Sequence, residues 1–275
     1  MKWCKAAETM RGIRMDLTNK ADNLKTTESV TGEVCRPDGS KSLIEDLIIH
    51  EHFMEIIING LTAFRLSCTA EHLPELVLGR LYTEGLIDGV HDVERIFICG
   101  KGNLAEVTLA REFNAKAYDG TEPTCCTGNV QLLQNGLEKD LKKLPEVTPA
   151  PAQIFELAEY FKNDSVLHKT TSGTHSCYIS LPGKSSGREI AGFEDISRHN
   201  ALDKAVGHML LCEASPKDCI LYTTGRVPLD MVQKVIRAGI PVLISKSVPT
   251  DAAFETAKEY GLALICKAWP DSYVI

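Results

Sequence analysis

"CILYTTGRVPLDMVQKVIRAGIPVLISKSVPTDAAFETAKEYGLALIC", residues 219–266, alternates short apolar runs with longer amphipathic ones. CILYTTG, IPVLISK and LALIC are brief and rich in Ile, Leu and Val, which suits strands buried on both faces. PLDMVQKVIRAG and TDAAFETAKEYG carry the helical period between them. The punctuation agrees: Pro228 fits a first helical turn, Thr250 caps the next helix with Asp251 behind it, and Gly239 and Gly261 end the two helices. Strand–helix alternation of this kind predicts a parallel sheet covered by helices on both sides.

Upstream, THSCYISLPG and REIAGFED read as two strands joined by GKSSG, an antiparallel hairpin that makes the sheet mixed. A helix is expected at 152–162, and SRHNALDKAVGHMLL forms another, with Ala201, Leu202, Ala205, Met209 and Leu210 on one face. Residues 151–275 thus predict a three-layer α/β/α domain. Residues 43–118 predict a smaller α+β domain. In it FMEIIING and LTAFRLSC form a hairpin turning at Asn59-Gly60, and VERIFICG and LAEVTLA form two further strands. AEHLPELVLGRLYTEGLI forms a helix with Leu73, Leu76, Val77, Leu81 and Leu86 on one stripe. Residues 1–42 are polar and weakly patterned, and partly flexible. Residues 119–150 form a connector, in which Val130, Leu133, Leu137, Leu141 and Leu144 recur at helical spacing before the proline-rich LPEVTPAPAQ.

The bulk numbers exclude several classes. A chain of 275 residues with 44% apolar and 24% charged residues is not disordered. A net charge of −7 argues against bulk nucleic-acid binding, leaving room for a local basic pocket. No apolar run is long enough to span a membrane, and MKWCKAAETMRGIRMDLTNK lacks the apolar centre of a signal peptide, so a cytoplasmic location is expected. Ten cysteines occur without any Cys-x-x-Cys. Those in RIFICG, HSCYIS and LALICK are expected to be reduced core residues.

In open α/β sheets ligands bind outside the carboxyl ends of the strands. FEDISRHNALDK, YTTGRVP and SKSVPT fall there, each placing free backbone N–H groups at a helix start where an anion is favoured. Arg198, Arg226 and Lys246 add positive charge, and His175 and His199 could donate to a phosphate or carry a proton near neutral pH. Capping chemistry and surface charge explain any one loop as well; the three together favour an anion site. HEH at 50–52 alternates as in a strand but has no third metal ligand.

PTCCTGNV, residues 123–130, holds the adjacent Cys125 and Cys126. Neighbouring Cα atoms lie about 3.8 Å apart, short of the usual disulfide range from about 4.4 Å upward. Zinc would need spaced partners. Reactive sulfur before a helix start fits better, with two inert loop cysteines as the competing possibility.

EDISRHNALDKAVG, TTGRVPLDMVQKVIRAGIPVL and SKSVPTDAAFETAKEYGLALI resemble the corresponding stretches of the FdhD family, the formate dehydrogenase accessory proteins also described as sulfur carriers. LPELVLGRLYTEGLI and TTSGTHSCYIS extend the resemblance from about residue 45 to the end. It implies a cytidine-deaminase-like α/β/α fold and a sulfurtransferase. Such a protein takes persulfide sulfur from a cysteine desulfurase and passes it to the molybdenum bis(molybdopterin guanine dinucleotide) cofactor of the formate dehydrogenase catalytic subunit; a homodimer is compatible with it. By the same likeness Ile265, Cys266, Lys267, Ala268, Trp269 and Pro270 match the family's cofactor-binding segment, and His175, Asp195, Arg198, His199 and Arg226 fall in its motifs. The chain departs from the family in three places. Adjacent cysteines replace a Cys-x-x-Cys, with Cys125 matching the leading cysteine and Cys126 nearer the expected helix. Ser197 replaces a glycine, and ICKAWPDSYVI is poorer in arginine. A non-catalytic cofactor-binding chaperone is the alternative these departures raise. A zinc nucleoside deaminase would need His-x-Glu and Pro-Cys-x-x-Cys, and the chain has neither.

Overall fold

The computed structural model describes residues 15–112, 121–124, 129–132, 141–183 and 187–275. The first part of the chain runs through β1 (Asp16–Asn19), β2 (Thr27–Cys35), β3 (Lys41–Ile49), β4 (His52–Ile58), β5 (Leu61–Cys68), helix α1 (Leu73–Thr83), β6 (Val93–Ile98) and β7 (Leu104–Leu109). Two short strands follow, β8 (Thr121–Thr124) and β9 (Asn129–Leu132). Then come α2 (Pro151–Asp164), α3 (Val166–Thr171), β10 (His175–Pro182), β11 (Arg188–Asp195) and α4 (Arg198–Leu211). The chain closes with β12 (Ile220–Thr223), α5 (Leu229–Arg237), β13 (Val242–Ser245), α6 (Asp251–Tyr260), β14 (Ala263–Trp269) and β15 (Ser272–Val274).

Both main sheets are mixed: a five-stranded sheet in the order β1-β6-β7-β4-β5 and a six-stranded one in the order β11-β10-β12-β13-β14-β15. In the second sheet β12, β13 and β14 are parallel, as the alternation at 219–266 requires, and β10 pairs antiparallel with both β11 and β12. Its side chains alternate between two cores. Tyr178, Tyr222, Ile244 and Ile265 face α2, whereas Cys177, Ile179, Leu221 and Leu243 face the side of α4 to α6. A two-sided sheet explains why these strands read as unbroken apolar runs.

The core on the α4 side continues through α1 into the first sheet, so the two halves share it. The two helices approach closely because each has a glycine at the crossing. A Cβ on Gly79 would fall 1.8 Å from the Asp203 carbonyl oxygen, and one on Gly207 would fall 1.9 Å from that of Glu75. Helix α1 is consequently buried nearly all round, and so is α4. The single apolar faces expected of both helices are thereby corrected: each is covered from two sides, and Leu86 follows α1 instead of belonging to it.

Several local expectations hold. Asn59 and Gly60 turn the β4–β5 hairpin with φ of 48° and 82°, and Thr250 Oγ1 accepts from the Ala253 N–H. Gly261 caps α6 in the left-handed region at φ 76°. Others are corrected. Pro228 is the residue before α5, not within its first turn. Of HEH only His52 lies in a strand, at the start of β4, while His50 and Glu51 link it to β3. Cys99 lies beyond β6, half-buried, with its thiol donating to Asn103 Oδ1. β2 and β3 pair as an antiparallel hairpin, and β1 pairs with β6 in the first sheet.

Candidate functional site

The carboxyl ends of β11, β12, β13 and β14 and the start of β10 lie side by side, because the register pairs His175 with Asp195, Cys177 with Thr223 and Thr223 with Ser245. The loops leaving these ends are tied together. The Lys246 N–H donates to the Thr223 carbonyl, Ser245 Oγ donates to the Gly225 carbonyl, and the Lys267 N–H donates to the Ser247 carbonyl. This brings the three polar clusters at 193–204, 222–228 and 245–250 into one crest.

Arg198 opens α4 and lies across Gly225, where a Cβ would come within 2.9 Å of its own. Its Nε is buried without a protein partner, as are Ser197 Oγ and His199 Nδ1. His199 is almost fully buried, and its Nε2 meets Asp230 Oδ2 at 2.7 Å. Burial works against the Asp230 charge, but the His199 hydrogen bond and the nearby positive charges outweigh it and hold the carboxyl below its ordinary range. His175, half-buried at the start of β10, is held below the usual histidine value by burial and then by Arg198, His168, His199 and Arg226. These groups therefore share one electrostatic neighbourhood. Arg226 is exposed. Lys246 stands between two rings, 4.6 Å from the centre of Phe161 and 4.7 Å from that of Trp269, and burial lowers its pKa.

Asp195 takes no part in the crest's open side. Its carboxylate accepts from the N–H groups of Thr69 and Ser197 and from Asn200 Nδ2, and it pairs with Lys204 Nζ at 2.7 Å. Both oxygens are occupied inside the protein, so Asp195 orients the start of α4. Within 265–270, Ile265, Cys266 and Ala268 are buried and point into the sheet's packing, leaving Lys267 and the 43%-exposed Trp269 outward and Pro270 in the turn that follows. Burial raises the Cys266 thiol to about 11 and the Cys219 thiol to about 12, so neither is a thiolate at neutral pH.

Cys125 and Cys126 lie outside the described residues. Their flanks do not: Val130 belongs to β9, which pairs with β8 and lies against β5. The helix expected directly after the cysteines is thus a strand at 129–132, and the helix-dipole case for Cys126 over Cys125 falls. His52 and His168 bond the backbone carbonyls of Gly102 and Thr174, which is a structural role. Asp230 and Phe161 carry no signal in the sequence, and Ser197 stands out there only as the replacement of a glycine. An acidic residue in the first turn of α5 reads as ordinary dipole compensation, and only the fold sets it against His199.

The model of the FdhD/NarQ family matches residues 49–275. The chain belongs to the FdhD/NarQ family. Among curated FdhD relatives it is 31% identical over 228 residues to the sulfur carrier protein FdhD of Geobacillus kaustophilus, covering 80% of this chain and 84% of that one. It is 35% identical over 195 residues to the protein of that name from Saccharolobus solfataricus, covering 70% and 72%. The crystal structure of a putative formate dehydrogenase accessory protein from Desulfotalea psychrophila matches with a TM-score of 0.75 at 24% identity, over 91% of this chain and 96% of that chain. At that identity the FdhD likeness in structure speaks for the fold: a mixed α/β architecture. No helix among the described residues is long and apolar enough to cross a membrane.

Proposed function

We propose that this protein is a sulfur carrier in the maturation of formate dehydrogenase, accepting persulfide sulfur from a cysteine desulfurase and delivering it to the molybdenum bis(molybdopterin guanine dinucleotide) cofactor. The observation that carries this reading is the strand-end crest in a chain whose relatives are named sulfur carriers. Arg198, Arg226, His175 and Lys246 gather there, with buried polar atoms on Ser197, Arg198 and His199 left for a ligand to satisfy. Such a crest suits the phosphates of a dinucleotide. Lys267 and Trp269 are the members of the C-terminal segment that face outward to meet it. A six-stranded mixed sheet with helices on both faces supports a cytidine-deaminase-like fold for residues 151–275.

The sulfur step balances without an outside oxidant. A thiolate of Cys125 or Cys126 attacks the terminal sulfur of the donor's persulfide, forming Cys–S–S⁻ and releasing the donor cysteine as thiolate. Delivery as sulfide then takes two electrons from a thiol, which becomes a disulfide. Adjacent cysteines close a strained disulfide, so a small thiol reductant is the better electron source than the neighbouring cysteine.

Maturation in cells tests the role. Wild-type protein should restore formate dehydrogenase activity to cells lacking their own carrier, and the C125A/C126A double variant should not. Full restoration by the double variant would instead identify a cofactor-binding chaperone that carries no sulfur.

A further inference from the structure

Three consecutive residues at the start of α4 each bury a polar atom that no protein group satisfies: Ser197 Oγ, Arg198 Nε and His199 Nδ1. Ser197 and His199 are each 1% exposed. The first backbone N–H groups of the fourteen-residue helix α4 also lack intrahelical acceptors there. The other nitrogen of His199 is fixed, with Nε2 at 2.7 Å from Asp230 Oδ2. We infer that Asp230 is a positioning residue for the strand-end anion site: by accepting the Nε2–H of His199 it leaves Nδ1 to take up a proton and donate to a phosphate-type anion. The inference rests on the reading that this crest binds such an anion, and adds how the binding is set.

A carboxylate accepts and does not donate, so with Asp230 ionised the Nε2 atom must carry the ring proton. The Nδ1 atom of the neutral ring then offers a lone pair, which repels an anion's oxygens. Binding requires that Nδ1 gain a proton, and the positive charge created is shared between the anion on one side and Asp230 on the other. The groups facing this ring pull in opposite directions. Asp230 from α5 favours the proton through its contact with Nε2, while positive charge on the adjoining Arg198 from α4, or on His175 from β10, which interacts with His199, opposes it. Anion affinity therefore rises as pH falls and Nδ1 takes up its proton. Removing the carboxylate charge moves that rise to lower pH.

Inorganic pyrophosphate is the probe. In the wild-type protein, nitrogen chemical shifts of the histidine rings should show His199 protonated on Nε2 alone when free and on both nitrogens when pyrophosphate is bound. Calorimetric titrations from pH 5.5 to 8.5 should show proton uptake. In Asp230→Asn the midpoint of the affinity–pH curve should move by about one unit toward acid, with the thermal midpoint checked in parallel. The wild-type spectra keep the inference falsifiable if that variant folds poorly. No pyrophosphate binding to the wild-type protein would overturn both the anion site and the inference. Binding with His199 Nδ1 unprotonated, or an unmoved pH curve in the variant, would overturn the inference alone.

Discussion

Single side chains at the crest behave according to what surrounds them. Arg198, His175 and Arg226 could be picked out in the sequence because motif residues just past apolar runs land at strand ends, and the structure gathers them. Asp195 belongs to the same motif yet turns inward, since donors on four residues, Thr69, Ser197, Asn200 and Lys204, claim its carboxylate. No linear pattern tells an inward carboxylate from an outward one. Arg226 is exposed, so Arg226→Ala should weaken pyrophosphate binding about tenfold, as befits the loss of one charge-assisted contact worth ~1.5 kcal/mol, and leave the melting temperature unchanged. His175 should titrate below the ordinary value of about 6.5 in the free protein, because its proton meets burial first and then the positive charge of Arg198. An anion in the crest cancels part of that repulsion, so added pyrophosphate should move its NMR titration midpoint upward. A midpoint that stays put would remove His175 from the site.

At the level of elements, the run 219–266 was legible because parallel strands covered on both faces leave a plain apolar signature, and the caps at Thr250 and Gly261 are local chemistry. Helices α1 and α4 were less so. Their sequences carry Glu75, Arg80, Asp203 and Lys204, which look like a solvated face, whereas all four are buried. What makes that burial workable is pairing between distant segments, which a periodicity window cannot see. Strand β9 carries a helical signal in the sequence because Val130 shares the helical spacing with the leucines after it. The α1–α4 crossing makes a sharp prediction. Gly207→Ala places a methyl 1.9 Å from a backbone oxygen that cannot move without shifting the helix. It should cost at least ~2–3 kcal/mol in denaturant unfolding. Gly32→Ala, whose new methyl would sit 3.8 Å from Ile44 Cγ1, serves as a control and should be nearly neutral.

Across the whole molecule a buried charge network joins helices α1, α4 and α5. Arg80 pairs with Glu84 and Asp203, and Lys234 pairs with the same two carboxylates, each at 3.0 Å. Burial opposes the Asp203 charge, but Arg80 and Lys234 outweigh it and leave the carboxyl below its usual range. Its stabilising effect is complete above the unfolded value near ~4 and is lost as pH falls through the lower folded value. Acid unfolding monitored by circular dichroism should therefore begin below about pH 4. Asp203→Asn leaves two buried cations short of a partner and should destabilise the protein by ~3–5 kcal/mol at neutral pH. The most direct measurement is mass spectrometry of the protein after incubation with a cysteine desulfurase and cysteine. A sulfur carrier should gain about 32 Da, one sulfur atom, on a peptide containing Cys125 and Cys126, removed by a thiol reductant; an unmodified peptide beside a fully active desulfurase would rule out sulfur loading there.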